Sequence, residues 1–249
     1  MNLFTYDKNE NKLPFTIPSK EGYSITWNKN LNGYDIEIPN GKLFYADDFF
    51  NKKICNRCIE YFLENDSFDT KILNARDFEK EKLKDIKFKN ILWEHDKINM
   101  FGKQIYVPRF SAWYGDANTN YSYSGNTFKA KKWNKGLLYI KEQIEKRLNL
   151  SFNSVLLNWY RDGDDYMGWH SDDEKELGKN PTIASINFGE ERDFLIKSNQ
   201  SNEKISIPLK DGTILIMSGK LQHYWKHSLP KRKKRKNARF NLTFRTIID

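Results

Sequence analysis

The sequence predicts a mainly β (α+β) fold, a sandwich, barrel or jelly roll flanked by N-terminal helices. Two observations carry this. From Phe152 to Ile248 the chain breaks into short alternating runs, such as Ser154–Tyr160, Thr182–Phe188, Asp193–Lys197 and Lys204–Leu209, each bounded by turn residues. Upstream, the apolar period changes to that of a helix, once after Asp47 or Asp48 and again over residues 134–149. No internal repeat and no second domain is expected. Residues 1–95 are expected to form an extension with a helix and support elements, 96–150 an aromatic segment with a support helix, and 151–249 the core.

The elements follow in order. Residues 1–43 are polar, with one alternating run at Tyr34-Asp-Ile-Glu-Ile and a turn at Pro39–Lys42. Asp47 or Asp48 is a suitable N-cap for a helix that carries Phe50, Ile54, Cys58, Phe62 and Leu63 on one side. Residues 65–90 are charged and suit a second helix or a long loop. An aromatic section follows, with Met100-Phe-Gly102, Pro108-Arg109 and Ala112–Gly115, then Tyr121-Ser-Tyr-Ser-Gly125. Tyr121 and Tyr123 share a face if extended, which suits either core or a wall for a flat ring. Leu137, Ile140, Ile144 and Leu148 make the stripe of a supporting helix. Lys210-Asp-Gly212, between two strand-like runs, reads as a hairpin turn.

Composition narrows the class. The chain has 249 residues, 15% aromatic, enough for a sizeable core. It has no apolar run of membrane length and no signal-like N-terminus, so an intracellular, soluble monomer is expected, in nucleus or cytoplasm. Cys55 and Cys58 form a C-x-x-C that could be half a zinc site or a redox pair. No second Cys/His pair lies nearby, which favours two small helical residues at i and i+3. Of a net charge of +9, six charges sit in Lys231–Lys236, leaving +3 for the rest. Such a run can contact phosphates, act as an import signal, or simply be a solvated loop.

The chemistry centres on Asp162–Glu174. His170 and Asp172 leave the same face if the segment is extended. One imidazole and one carboxylate make two-thirds of a 2-His-1-carboxylate iron(II) site, which keeps coordination positions open. The other histidines are His95, His223 and His227. His95 stands apart, and either His223 or His227 suits the third position. A zinc hydrolase could use the same ligands. The last strand then matters. It puts Arg239, Asn241, Thr243 and Arg245 on one face, opposite Phe240, Leu242 and Phe244. A small dicarboxylate spanning metal and arginine explains both features, and 2-oxoglutarate fits.

From about Met100 onward the sequence resembles the AlkB family of iron(II)/2-oxoglutarate dioxygenases, most of all the eukaryotic branch acting on alkylated nucleic acid. The motifs that carry this are Phe152–Tyr160, Trp169-His-Ser-Asp-Asp-Glu174, Ile183–Gly189, His227-Ser-Leu-Pro230 and Arg239–Arg245. The resemblance implies a double-stranded β-helix jelly roll. It also implies Fe(II), 2-oxoglutarate and O2 as cofactor and cosubstrates, and alkylated DNA, with RNA as the alternative, as partner. It makes His170, Asp172 and His227 the iron ligands and leaves His223 a structural role. Asn158, Tyr160, Arg239, Asn241 and Arg245 become the 2-oxoglutarate site, with Arg239 toward the distal carboxylate and Arg245 nearer the metal. Tyr121, Tyr123 and Ser124 match the base pocket, Arg109 a substrate contact, and Asp173, with Glu174 beside it, an acid facing the damaged base. Met100-Phe101-Gly102 resembles a finger that enters the base stack, although Phe101 also suits plain core. The implied reaction hydroxylates an N-methyl carbon of a flipped base and releases formaldehyde. The rivals are the same chemistry on RNA or a regulatory base mark, a zinc hydrolase, and a nucleic-acid binder with a dead site.

Overall fold

The computed structural model describes residues 12–66, 86–100, 102–117, 119–123 and 126–248. In chain order the strands are Ser24–Asn28 (β1), Gly33–Ile38 (β2), Gly41–Ala46 (β3), Lys97–Met100 (β4), Lys103–Tyr106 (β5), Phe110–Gly115 (β6), Asn120–Tyr123 (β7), Asn126–Lys129 (β8), Lys131–Lys132 (β9), Ser154–Tyr160 (β10), Met167–His170 (β11), Ile183–Gly189 (β12), Arg192–Ser198 (β13), Lys204–Leu209 (β14), Ile214–Ser218 (β15), Trp225–Leu229 (β16) and Arg239–Arg245 (β17). Helices lie at Lys52–Leu63 (α1), Lys135–Leu148 (α2) and Leu221–Tyr224 (α3).

The architecture is the mainly β jelly roll that the sequence predicts. A nine-stranded sheet runs β1-β2-β3-β15-β12-β17-β10-β6-β9, and a four-stranded sheet runs β11-β16-β13-β14. Alternation decides what lies on each side of the large sheet. Val155, Leu157 and Trp159 of β10, Phe240, Leu242 and Phe244 of β17, and Ala184, Ile186 and Phe188 of β12 turn outward, where α1 and α2 cover them. The opposite face looks at the small sheet. Toward β3 and β15 that interlayer is apolar, with Tyr45, Leu215 and Met217 packed against Phe194, Ile196, Ile205 and Ile207. Toward β17 and β10 the same interlayer becomes polar, and the site lies there. No helix among the described residues is long and apolar enough to cross a membrane.

Several expectations are corrected. The N-cap of α1 is Asn51, whose side chain accepts from the Ile54 amide at 3.1 Å. Asp47 and Asp48 fall in the preceding turn, where the Phe49 and Phe50 amides bond the Gly212 carbonyl. That same carbonyl belongs to Lys210–Gly212, which is not a hairpin turn. β14 pairs with β13 in the small sheet, while β15 pairs with β12 and β3 in the large one. The reason is packing: Ile205, Ile207 and Leu209 face Leu215 and Met217 across one core, so the two strands oppose each other. Gly212 makes the crossing with φ +83°, and a Cβ there would stand 2.2 Å from the Phe50 oxygen. Among the described residues up to Ala46 the chain contributes three strands, of which alternation showed only β2. Residues 67–85, where a second N-terminal helix or a loop was expected, lie outside the described residues.

Cys55 and Cys58 are buried on the inner face of α1, with Cys55 Sγ donating to the Phe50 carbonyl at 3.4 Å. Burial pushes both thiols up to about 12, far from the thiolate that redox or zinc chemistry needs. The expected result is that a thiol reagent at neutral pH labels both cysteines only as the protein unfolds. Full labelling of native protein within minutes would contradict this placement.

Candidate active site

A cavity of about 300 Å³ opens between the sheets, lined by residues of β6, β10, β12 and β17 on one side and of β11, β13 and β16 on the other. Register builds its floor. Asn158 of β10 stands opposite Asn241 of β17 and Ser111 of β6; Tyr160 stands opposite Arg239; Asn241 and Thr243 face Asn187 and Ser185 of β12. The alternation that buries Trp159 and Phe240 outward necessarily turns these polar neighbours inward.

The small sheet supplies the roof. His170 of β11 pairs in register with His227 of β16, and an irregularity in β11 falls between Met167 and His170. Asp172 lies two residues beyond His170. Nε2 of His170 is 3.8 Å from Asp172 Oδ1, and Nε2 of His227 is 4.0 Å from the same oxygen. The three ligand atoms lie within 4.8 Å of one another. Nδ1 of His170 donates to the Gly168 carbonyl at 2.9 Å. That bond fixes the tautomer and leaves the Nε2 lone pair toward the cavity. Phe194 stacks on His227 at 5.2 Å and limits its rotation.

Electrostatics suit the same set. Burial lowers His170 and takes His227 down to about 3, so both imidazoles are neutral ligands near pH 7. Burial alone would raise Asp172, but Arg245, His227 and His170 hold it well below the usual carboxylate range. Nη2 of Arg245 donates to Asp172 Oδ2 at 2.8 Å. Two neutral imidazoles and one ionised carboxylate on one side of a cavity fit a divalent metal with positions left open. Gln222, fully buried, accepts from the Asp172 amide at 3.0 Å and so holds the carboxylate's backbone. Nothing in the local sequence signalled Gln222.

The other end of β17 carries Arg239, which is buried. Its Nη2 donates to Asn187 Oδ1, and its guanidinium lies 5.3 Å from the centre of the Tyr160 ring. Its Nε has no hydrogen-bond partner among the described residues. Burial lowers Arg239 to about 10, still charged at neutral pH. A buried cation with an unused donor at the wall of a cavity fits a carboxylate ligand. Asn241 is held by Ser185 Oγ at 2.8 Å and Asn187 Oδ1 at 3.2 Å. Asn187 and Ser185 were read only as part of a strand run, and their role as a support for Arg239 and Asn241 comes from the pairing of β12 with β17.

The remaining candidates divide. Arg109 lines the cavity, with Nε donating to Asn158 Oδ1 at 2.8 Å. Asp173 is exposed, and Glu174 caps a 3-10 turn at Lys175–Leu177; neither lines the cavity. Tyr121 and Tyr123 belong to the β7–β8 hairpin, and their side chains lie outside the described residues, as do Phe101 and Ser124. Gly102, at the tip between β4 and β5, has φ +73°. His223 is exposed and bonds the Lys179 carbonyl, away from the metal ligands.

The basic run is latched to the turn at Gly163. The Arg232 amide donates to the Gly163 carbonyl at 2.7 Å, and the Gly163 amide to the Arg235 carbonyl at 2.9 Å. A Cβ on Gly163 would come within 1.8 Å of the Arg232 oxygen, so only glycine permits this approach. Arg232 and Arg235 are already paired, with Asp193 at 2.7 Å and with Glu190 at 3.1 Å, whereas Lys231, Lys233, Lys234 and Lys236 are exposed. Lys231 leans over the Tyr166 ring at 4.9 Å.

Comparison with known proteins agrees with this geometry. Residues 70–245 match the family model of the 2OG-Fe(II) oxygenase superfamily. Human "DNA oxidative demethylase ALKBH2" is 41% identical over 160 residues, 61% of this chain and 61% of that protein. Bovine "Alpha-ketoglutarate-dependent dioxygenase alkB homolog 3" is 43% identical over 150 residues, 56% of this chain and 52% of that protein. The Arabidopsis thaliana ALKBH2 is 36% identical over 187 residues, 64% of this chain and 60% of that protein. The chain therefore spans between half and two thirds of the length of these curated relatives. With a family model covering most of the chain and a His-Asp-His group in the jelly roll's cavity, this protein belongs to the 2OG-Fe(II) oxygenase superfamily, and within it to the AlkB family.

Proposed function

We propose that this protein is an Fe(II)/2-oxoglutarate-dependent dioxygenase that oxidatively demethylates N-alkylated bases, of the 1-methyladenine and 3-methylcytosine type, in DNA, with RNA as the alternative polymer. One observation carries the reading most directly. A single cavity holds a neutral-imidazole and carboxylate triad at one end and a buried arginine with an unused donor at the other. The relatives' names, a DNA oxidative demethylase among them, support the substrate class.

His170, Asp172 and His227 would hold the iron, which with 2-oxoglutarate and dioxygen supplies the oxidising power. Arg245 keeps Asp172 ionised and oriented. Arg239, Asn241, Asn158 and Tyr160 would bind and align the cosubstrate, with Arg239 on its distal carboxylate. The walls of the interlayer would hold cosubstrate and base in a fixed geometry beside the metal. A base inside a duplex cannot reach this cavity and must be flipped. The β4–β5 and β7–β8 hairpins would frame it, through Phe101 as a finger and through Tyr121, Tyr123 and Ser124 as a wall. Asp173, with Glu174 beside it, would be the acid that meets the charged base once it is flipped in. The hydroxylated methyl is a hemiaminal, which collapses to formaldehyde and the restored base.

The test is anaerobic reconstitution with iron(II), then an oxygenated assay on 1-methyladenine in single-stranded and duplex DNA, following formaldehyde and adenine together. Turnover of 2-oxoglutarate without repair of either strand would sink the substrate reading. Absence of any turnover would sink the enzyme reading.

The basic run has its own expected outcome. Replacing Lys231, Lys233, Lys234 and Lys236 with Gln weakens nucleic-acid binding and lowers the slope of log K against log salt by about 3–4. Uncoupled decay of 2-oxoglutarate should persist, because the arginines that latch the loop are retained. Loss of that decay would mean that the lysines are structural.

A further inference from the structure

Among the described residues three carboxylates line the cavity: Asp172, Glu94 and Asp96. The first two have cationic partners, Arg245 for Asp172 and Lys131 for Glu94. Asp96 has none among the described residues. Its one side-chain bond is accepted from the Ser111 hydroxyl, and it is only half-buried.

Backbone pairing fixes where this carboxylate stands. The Glu94 amide donates to the Ser111 carbonyl at 2.8 Å and the Ser111 amide to the Glu94 carbonyl at 2.9 Å, while the Asp96 carbonyl accepts from the Val107 amide at 2.9 Å. Residues 94–96 therefore lie along the edge of β6. Ser111 is in register with Asn158. Asp96 is thus one strand beyond the inner polar floor, on the side away from Arg239. The cations near it are engaged elsewhere: Lys97 lies 4.8 Å over the Tyr106 ring, and Arg109 donates to Asn158.

We infer that Asp96 is a specificity-determining residue that faces the flipped base and selects bases carrying a positive charge. The inference rests on the demethylase reading above. A half-buried carboxylate without a cation is poorly compensated, and a cationic ring supplies the missing charge. Adenine methylated at N1 and cytosine methylated at N3 are cationic near neutral pH, whereas thymine methylated at N3 is neutral. The hydroxyl of Ser111 holds the carboxylate toward the cavity without neutralising it.

The experiment measures kcat/KM on single-stranded oligonucleotides with one 1-methyladenine or one 3-methylthymine, in one preparation of each variant. The ratio of the two cancels any loss of folded enzyme. Asp96→Asn should lower the ratio about tenfold or more, and Asp96→Glu, which keeps the charge, should restore most of it. A ratio unchanged in Asp96→Asn, or lowered equally in Asp96→Glu, overturns the assignment. If wild-type protein turns over 2-oxoglutarate but repairs neither base, the demethylase reading fails and the assignment with it.

Discussion

His170→Ala should reduce 2-oxoglutarate turnover to background while leaving oligonucleotide affinity nearly unchanged. His170 sits at the edge of the small sheet, partly exposed, with a single side-chain bond to the Gly168 carbonyl. Removing it opens little core, so the fold should persist. What it removes is one of three ligand atoms, and metal held by His227 and Asp172 alone loses both affinity and orientation. Asp172→Ala should be equally inactive but should also destabilise the fold. It takes the carboxylate from the buried Arg245 guanidinium, which donates to Asp172 Oδ2 at 2.8 Å. Breaking a buried pair from one side costs about 3–5 kcal/mol. The two variants therefore separate ligation from folding. Measuring the melting temperature with and without a non-oxidisable divalent metal makes the distinction sharp. Wild type should gain stability with metal, and neither variant should. Turnover by His170→Ala above a tenth of wild type would remove this residue from the metal site.

Much of this site was legible because strands advertise their faces. The Arg239–Arg245 strand alternates polar and apolar residues without a break, and the structure buries all seven, with Phe240, Leu242 and Phe244 on the helix side. The fold class followed from the same period of two. The failures have physical causes too. Lys210–Gly212 looks like a hairpin turn because a tight glycine turn has the same local chemistry whether the next strand pairs sideways or crosses to the facing sheet. Only the shared core of Ile207 and Leu215 decides between them, and that contact is not local. Asp47, Asp48 and Asn51 are all good caps. The choice of Asn51 depends on the Phe49 and Phe50 amides being taken by Gly212, a residue some 160 positions away. Gln222 and Asp96 went unread for the same reason. Gln222 is marked by its bond from the Asp172 amide and Asp96 by a place on the cavity wall with no cation beside it among the described residues, and a linear pattern marks neither.

Arg239→Ala should raise the KM for 2-oxoglutarate by about 100-fold with a smaller effect on kcat, and it should not weaken the metal-free fold. Hydrogen bonds from a charged donor to a charged acceptor contribute about 1.5–3 kcal/mol, and a buried partner left unpaired adds to the loss. About 3 kcal/mol is roughly two decades in affinity. The stability side runs the other way. Arg239 is buried, holds one bond to Asn187, and lies over Tyr160 with its Nε unused. It is a desolvated cation waiting for an anion, so removing it relieves a burial cost in the free protein. The melting temperature of the metal-free variant should therefore be equal to or above wild type, while cosubstrate affinity collapses. A 2-keto acid without the distal carboxylate supplies the control: wild type and variant should use it alike, because the group that Arg239 grips is gone from both. Arg239→Lys should recover only part of the loss, since an ammonium cannot bond Asn187 and a carboxylate in the geometry of the planar guanidinium. If Arg239→Ala instead unfolds the protein, or discriminates equally against both keto acids, Arg239 is a structural tie to Asn187 and the distal carboxylate is held elsewhere.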